Sequence, residues 1–337
     1  MAEEKEKPLT REDLLRLIEE NSGKAEGLDL SGKRFEEGID LRELNLKGII
    51  LTGAYLEGAD LSGAHLEGAR LWHAHLERAT LQHAHLERAE LVQARLEEVD
   101  LLGAHLEGAE LDSAHLEGAG LLGTDLEGAY LTGAYLEGAN LIQVKLAPDT
   151  GLEDVHWGNY ILREEKTADF EIAVDSYRRL KQWYTNAGMY DVAAEFYYRE
   201  MEAKRKCAQG EIREHFKKSK GCKFLHFLFK ENDFGNWVRL CIYRLTCGYG
   251  ERPWQVFLIA ATIILGLAGL YTWLGSFVSK TFLGCLYYSA ASFTALGYGN
   301  WAPQPSGWAK GMGAAEAVVG VLMIALFLVT FTRKMIR

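Results

Sequence analysis

Seven consecutive residues, Thr294-Ala295-Leu296-Gly297-Tyr298-Gly299-Asn300, have types and spacing that could do chemistry. Glycine reaches backbone conformations closed to other residues, so Gly297 and Gly299 allow successive carbonyls to point the same way. A ring of such carbonyls can replace the hydration shell of a cation. A second candidate is periodic. Nine glutamates run from Glu57 to Glu137 in steps of ten, and His65, His75, His85, His105 and His115 share that spacing. Imidazole beside carboxylate can bind a metal or titrate near neutral pH.

The first set requires elements that hold irregular backbone at membrane depth, where it survives only inside protein or beside a water path. Trp254–Leu274 contains no charged residue over its 21 residues, enough to span ~30 Å of hydrocarbon. A second apolar stretch runs from Gly313 to Phe331, with Glu316 near its start. Between them Phe282–Phe293 is apolar but too short to cross, so it reads as re-entrant and delivers Thr294 onward. The bland alternative for Gly297-Tyr298-Gly299 is a surface turn between two anchoring helices. Arg239, Arg244 and Arg252 precede the first span and Arg333, Lys334 and Arg337 follow the second, while the intervening loop and its borders offer Lys280 and Lys310. That asymmetry puts both termini in the cytoplasm.

Span, short apolar helix, GYG and span resemble the two-transmembrane, pore-loop potassium-channel family over about 253–334. The resemblance implies a homotetramer whose selectivity filter is Thr294, Ala295, Leu296, Gly297, Tyr298 and Gly299, with K⁺ at the carbonyls of Ala295, Leu296, Gly297 and Tyr298. Asn300 and Glu316 would support the filter and Gly320 would be the inner-helix hinge. Two departures from the family pattern bear on selectivity. Ala295 replaces the usual threonine, removing a hydroxyl ring, and Asn300 replaces the usual aspartate. K⁺ is the expected permeant ion, with a non-selective cation pore as the alternative. No Arg-rich span offers a voltage sensor.

The second set requires a solenoid. From Leu41 to Leu146 every fifth residue is leucine, 22 in register, usually with alanine two positions before. Period five fits neither a helix nor a flat strand. These units, for example Ala59-Asp60-Leu61 and Ala139-Asn140-Leu141, resemble the pentapeptide-repeat family. That resemblance implies a right-handed, four-sided parallel β-helix with leucine and alanine inside. Four units per coil give about 5.5 coils and a rod of roughly 26 Å. His65, His85 and His105 would then stack ~5 Å apart. They could bind a metal or sense pH, or be solvated outer positions in a duplicated repeat.

Other segments follow from local signals. Thr10 caps a helix at Arg11–Glu20 that covers the first coil, and the rod ends near Pro148. Apolar spacing on both sides of Asn186-Ala187-Gly188 predicts a helical hairpin, Ala168–Thr185 and Tyr190–Lys206, resembling one tetratricopeptide-style unit. It reads as a structural bridge rather than a peptide groove. The basic, then aromatic tract after it suits an amphipathic segment at an anionic leaflet, or else a packed linker. The expected division is 1–27 capping helix, 28–150 β-helix, 151–220 hairpin, 221–252 interfacial segment and 253–337 pore domain.

Charge and composition exclude other classes. Arg42–Lys145 holds seven basic and 17 acidic residues, which accounts for the whole net charge of −10. Acid concentrated in one block argues against a nucleic-acid binder, which would show a basic face. Five cysteines without a CxxC pair indicate a reducing setting for the soluble part, and the N-terminus lacks a signal-peptide h-region. No GxSxG, Walker loop or HExxH is present, so no enzyme is expected and no cofactor beyond the permeant ion. The expected partners are the bilayer, three further copies and an unknown cytosolic ligand or protein at the β-helix, in a prokaryotic inner membrane. A membrane-tethered acidic scaffold with a non-conducting pore is the alternative of another class.

Overall fold

The computed structural model describes residues 7–160, 162–218, 232–274, 281–295 and 307–336. The chain forms two compact units, Met1–Lys204 and Arg205–Arg337.

The first unit opens with α1 (Arg11–Glu20), where Thr10 and Asp13 form a reciprocal capping box: the Asp13 N–H donates to Thr10 Oγ1 at 3.1 Å and the Thr10 N–H to Asp13 Oδ2 at 3.2 Å. Leu14 of this helix is buried in the same core as the first coil, as expected of a cap. The chain then winds into a β-helix of parallel bridges. Each residue before a core leucine pairs with the residue 20 further on, as in Asp60↔Thr80 and His65↔His85. Three hydrogen bonds per unit carry the ladder; Leu61 N–H donates to Thr80 O, Gly63 N–H to Gln82 O and Thr80 N–H to Ala59 O, all at 2.7–2.9 Å. A β-turn closes each unit, Ala64 N–H donating back to Leu61 O, with Gly63 at φ 64° in the left-handed region. Leucines 41 through 136 are at most 2% exposed and the alanines before them at most 1%. Period five therefore buries one leucine and one alanine per unit, each stacked on its equivalent in the next coil.

The solenoid is longer than the strict leucine register. Bridges Asp29↔Ile50 and Arg34↔Tyr55 at one end, and Tyr130↔Gly151 and Tyr135↔His156 at the other, span 21 residues instead of 20. One extra residue enters between Phe35 and Leu41 and another between Leu146 and Leu152. Leu30, Phe35, Leu152 and Trp157 then continue the buried column out of phase with the central leucines. The ladder thus runs past Pro148 to His156.

A short helix, α2 (Arg163–Lys166), leads into the hairpin of α3 (Phe170–Asn186) and α4 (Tyr190–Lys218). Gly188 at φ 77° turns the chain between them, and Met189 N–H bonds back to Tyr184 O at 2.9 Å. The second helix runs twelve residues beyond the expected Lys206. The hairpin closes the end of the β-helix as well as extending from it. Trp183 Nε1 donates to Ala147 O at 3.0 Å, Trp157 Nε1 to the Tyr184 hydroxyl at 2.8 Å, and that hydroxyl to Leu152 O at 3.0 Å. Backbone groups left open at the last coil are thereby paired, which a solenoid end requires. Inside the hairpin Glu200, 3% exposed, takes hydrogen bonds from Lys181 at 2.6 Å and Lys204 at 2.7 Å. Burial pushes its carboxyl upward, but the two lysines outweigh burial and hold it below the ordinary glutamate range.

The second unit contains α5 (Asn232–Cys247), α6 (Pro253–Leu274), α7 (Phe282–Thr294) and α8 (Trp308–Ile336). Pro253–Leu274 and Trp308–Thr332 are long and apolar enough to cross a membrane. Only 17% and 22% of their most apolar windows is buried, so they are not the core helices of a soluble fold. Trp254, Leu258, Trp273, Leu322 and Val329 are among the side chains left more than 60% exposed. The short α7 packs against both long helices, with Tyr271, Cys285, Tyr288 and Ala309 in one buried cluster and Val256, Phe293 and Met323 in another. Of the expected interfacial segment, 221–231 lies outside the described residues, as do the last two residues of the expected hairpin division, 219–220.

Candidate functional site

α7 begins at Thr281, whose extended backbone leaves the first turn without a side-chain cap, and it ends at Ala295. Ala295 sits in the left-handed region at φ 54°, ψ 23°, with its N–H bonded to Ser292 O at 3.1 Å. A non-glycine residue in this conformation stops the helix abruptly at a cost of about 1–2 kcal/mol. The helix therefore terminates at the residue where the expected filter begins.

Thr294 and Ala295 are exposed at this terminus. The Thr294 hydroxyl donates to Ala290 O at 2.7 Å, within its own helix. Leu296, Gly297, Tyr298, Gly299 and Asn300 lie outside the described residues.

Glu316 and Gly320 fall on α8, one turn apart and both buried. The sequence offers Glu316 no evident partner; the structure supplies two. Tyr271 of α6 donates to Glu316 Oε2 at 3.0 Å, and Ser289 of α7 hydrogen-bonds to Oε1. Ser289 also reaches Ile264 O at 3.1 Å. One carboxyl group thus ties all three helices together. Nothing in local sequence pattern could have found it, because the partners lie 27 and 45 residues away. Gly320 lies against the backbone carbonyl of Phe293, in the last turn of α7, in the space a β-carbon would take. Gly313 makes a similar close approach to the Tyr288 hydroxyl. Tyr288 in turn donates to Ala309 O at 3.2 Å and meets Tyr271 edge-on at 5.5 Å. These contacts hold the short helix rigidly between the long ones, which fixes where its C-terminus delivers the chain.

A second Gly-Tyr-Gly, at 248–250, did not enter the sequence argument. It forms a single 3₁₀ turn between α5 and α6, with Tyr249 fully buried at φ 59° and edge-on to Tyr243 at 5.8 Å. The tripeptide by itself is a compact turn; the preceding short apolar helix distinguishes the one at 297–299.

Comparison with known proteins finds one family in each of the two units. Residues 257–337 match a family described as ion channel. Residues 39–78, 74–112 and 109–146 match pentapeptide repeats in eight copies. Among solved structures, the chain is similar to HetL, a pentapeptide repeat protein involved in heterocyst differentiation regulation from Nostoc sp. strain PCC 7120. The identity is 32% over 40% of this chain and 70% of that one, with a TM-score of 0.28. A pentapeptide repeat protein from the Arabidopsis thaliana thylakoid lumen is 31% identical over 37% and 72%, TM-score 0.18. Rfr23 of the cyanobacterium Cyanothece 51142 is 26% identical over 43% and 97%, TM-score 0.18. No curated protein matches the chain. Repeats in register, a ladder with 20-residue offset and a three-helix unit with two apolar spans agree with these matches: the chain belongs to the pentapeptide-repeat family through its N-terminal half and carries an ion-channel domain at 257–337.

Proposed function

We propose that the protein is a homotetrameric, passive cation channel, selective for K⁺, whose filter is Thr294–Gly299 and whose cytosolic β-helix regulates opening. The observation that carries this reading is the short helix α7, held between two membrane-length helices and ending at Thr294, just ahead of Leu296-Gly297-Tyr298-Gly299 in the sequence. A helix C-terminus presents unpaired carbonyls and a partial negative charge, which favours a cation beyond it. Carbonyls of Ala295, Leu296, Gly297 and Tyr298 would then bind K⁺, with Asn300 and Glu316 supporting the filter. One chain supplies a quarter of such a filter, hence the tetramer.

The β-helix is assigned as right-handed and four-sided, and both termini as cytoplasmic in a prokaryotic inner membrane. Residues 211–252 connect the repeat unit to the first span in the chain, so they would transmit a cytosolic ligand or partner's effect. Deleting residues 1–205 should change open probability and leave ion preference intact. An unchanged open probability would remove the regulatory assignment.

A second reading, a non-selective cation pore, is favoured by one observation: Ala295, the residue that caps α7, has no hydroxyl to offer an ion. Planar-bilayer recording under opposed K⁺ and Na⁺ gradients separates the two. Reversal near the K⁺ equilibrium value, abolished by Gly297→Asp, supports the selective pore. Reversal near zero supports the second reading. Silence that persists after deletion of 1–205 overturns both and leaves a tethered scaffold.

A further inference from the structure

The outer surface of the β-helix carries columns of like residues one coil apart. In one, the rings of His65, His85 and His105 stack in parallel, with centroids 4.6 and 5.1 Å apart. Each ring has a glutamate two residues on, and each pair has the same geometry, Nδ1 to Oε1 at 3.3 Å for His65–Glu67, His85–Glu87 and His105–Glu107. Glutamates 67, 87 and 107 therefore form a second column beside the first. Their Oε2 atoms are buried and make no hydrogen bond within the protein. A buried carboxylate oxygen without a donor is unfavourable, and identical charges repeated up a ladder add mutual repulsion.

Three groups bring metal-ligating atoms within 4.8 Å of one another: His65–Glu67–His85, Glu57–His75–Glu77 and Glu87–His105–Glu107. Two already contain a cation. Lys47 binds Glu67 at 2.8 Å, and Arg95 binds Glu77 at 2.9 Å. Among the described residues, no lysine or arginine pairs with Glu87 or Glu107. The nearby Lys145 is held by Asp125 at 2.6 Å. The third group is thus one imidazole and two carboxylates, with a second imidazole, His85, bonded to Glu87 at its edge; no described lysine or arginine forms an ion pair with either carboxylate, and Lys145, paired to Asp125, acts on Glu107 only from a distance.

We propose that His85, Glu87, His105 and Glu107 bind one divalent transition-metal ion of the Zn²⁺ class. Two nitrogen and two oxygen ligands match the borderline character of such an ion and provide a full four-coordinate shell. Ligand atoms around tetrahedral zinc lie about 3.3–3.5 Å apart, so Glu87, His105 and Glu107 must close from within 4.8 Å, and the His85 ring must turn out of its 5.1 Å stack on His105 to join them. They are 34–42% exposed, which leaves room for that movement, while the ladder beneath them fixes the spacing of their backbones. The ion would neutralise both carboxylates and occupy the orphaned oxygens. It would also clasp two successive coils of the unit on which cytosolic regulation is assigned above; binding itself does not depend on that assignment.

The test is calorimetric titration of the purified full-length chain in detergent with Zn²⁺, paralleled by Co²⁺ and its visible absorption. The expected result is saturable binding in millimolar Mg²⁺, with intense Co²⁺ bands of a four-coordinate site. His105→Ala and Glu107→Gln should each weaken affinity by about tenfold or more. His115 is the internal control. It forms the same 3.3 Å pair with Glu117, but its ring stacks on Tyr135 and its bridge partner on the other side is Arg95. His115→Ala should leave affinity unchanged, and far-UV circular dichroism should show all three variants folded. No saturable binding, displacement by Mg²⁺, or an undiminished affinity in His105→Ala would each overturn the proposal. Equal losses in His105→Ala and His115→Ala would also overturn it, showing attraction to the acidic surface as a whole.

Discussion

The Tyr271 hydroxyl donates to the Glu316 carboxyl at 3.0 Å, linking the two membrane-length helices through a buried polar contact. Ser289 shares the same carboxyl, so the short helix is anchored from both sides. Tyr271→Phe removes one donor and leaves the other; interhelical hydrogen bonds in membranes contribute about 0.6 kcal/mol on average, so the loss should be of that order. Glu316→Ala removes the acceptor that both hydroxyls share, leaving Ser289 its bond to Ile264 O, and should cost about 1–3 kcal/mol. Thermal denaturation of the detergent-solubilised protein checks the ranking. Equal losses in the two variants would mean that Ser289 does not share the load.

Gly320 and Gly311 lie on the same helix and predict opposite outcomes. A β-carbon at 320 would collide with the carbonyl of Phe293, whereas one at 311 meets nothing within 4 Å. Gly320→Ala should push α8 off α7 and destabilise by about 1–3 kcal/mol. Gly311→Ala should be neutral or slightly stabilising, since alanine is the better helix former. If Gly320→Ala were tolerated and altered only opening, the hinge implied by family resemblance would outrank close packing at this position.

In the solenoid, Leu91 is 1% exposed and its neighbours up and down the column are also leucines. Leu91→Ala should cost about 2–5 kcal/mol, because the ladder prevents collapse around the cavity. Thermal melting of the β-helix, followed by circular dichroism, reads the loss. A shift no larger than that of an exposed-site substitution would contradict the stacked-core account.

The Glu200 carboxylate, lowered by Lys181 and Lys204, supplies a pH-dependent contribution. A group whose folded value lies below its unfolded one stabilises the fold above the ordinary glutamate range, and that stability disappears as pH falls through the folded value. Glu200→Gln should therefore melt earlier than wild type at neutral pH, by about 1–3 kcal/mol. The gap should narrow steadily below about pH 4. A gap independent of pH would assign the effect to shape alone.

Much of the fold was legible because its signals are local. The Thr10–Asp13 cap, the turn at Gly188 and the limits of the short apolar helix all follow from neighbouring residues. The central register of the solenoid was equally plain. Its ends were not, because a single inserted residue before Leu41 and another after Leu146 shift the phase, and Trp157 takes a leucine's place. The hairpin read as a bridge; its role as a lid on the last coil depends on Trp183 reaching Ala147, 36 residues away. Leu296–Gly299, most of the expected filter, and Asn300 beside it rest on residue type and context.

Sequence by itself determined the two kinds of architecture in this chain. A five-residue period specifies a solenoid because each unit touches only its neighbours, and about twenty apolar residues specify a span because the bilayer sets the length. Tertiary structure alone decided which polar groups meet: Glu316 with Tyr271 and Ser289, Gly320 with Phe293, and His85 over His105 with two uncompensated carboxylates. Those pairings depend on helix rotation, axial register and the rise of one coil on the next. Such quantities are fixed by packing of the whole unit, and residues distant in sequence share no local pattern that encodes them.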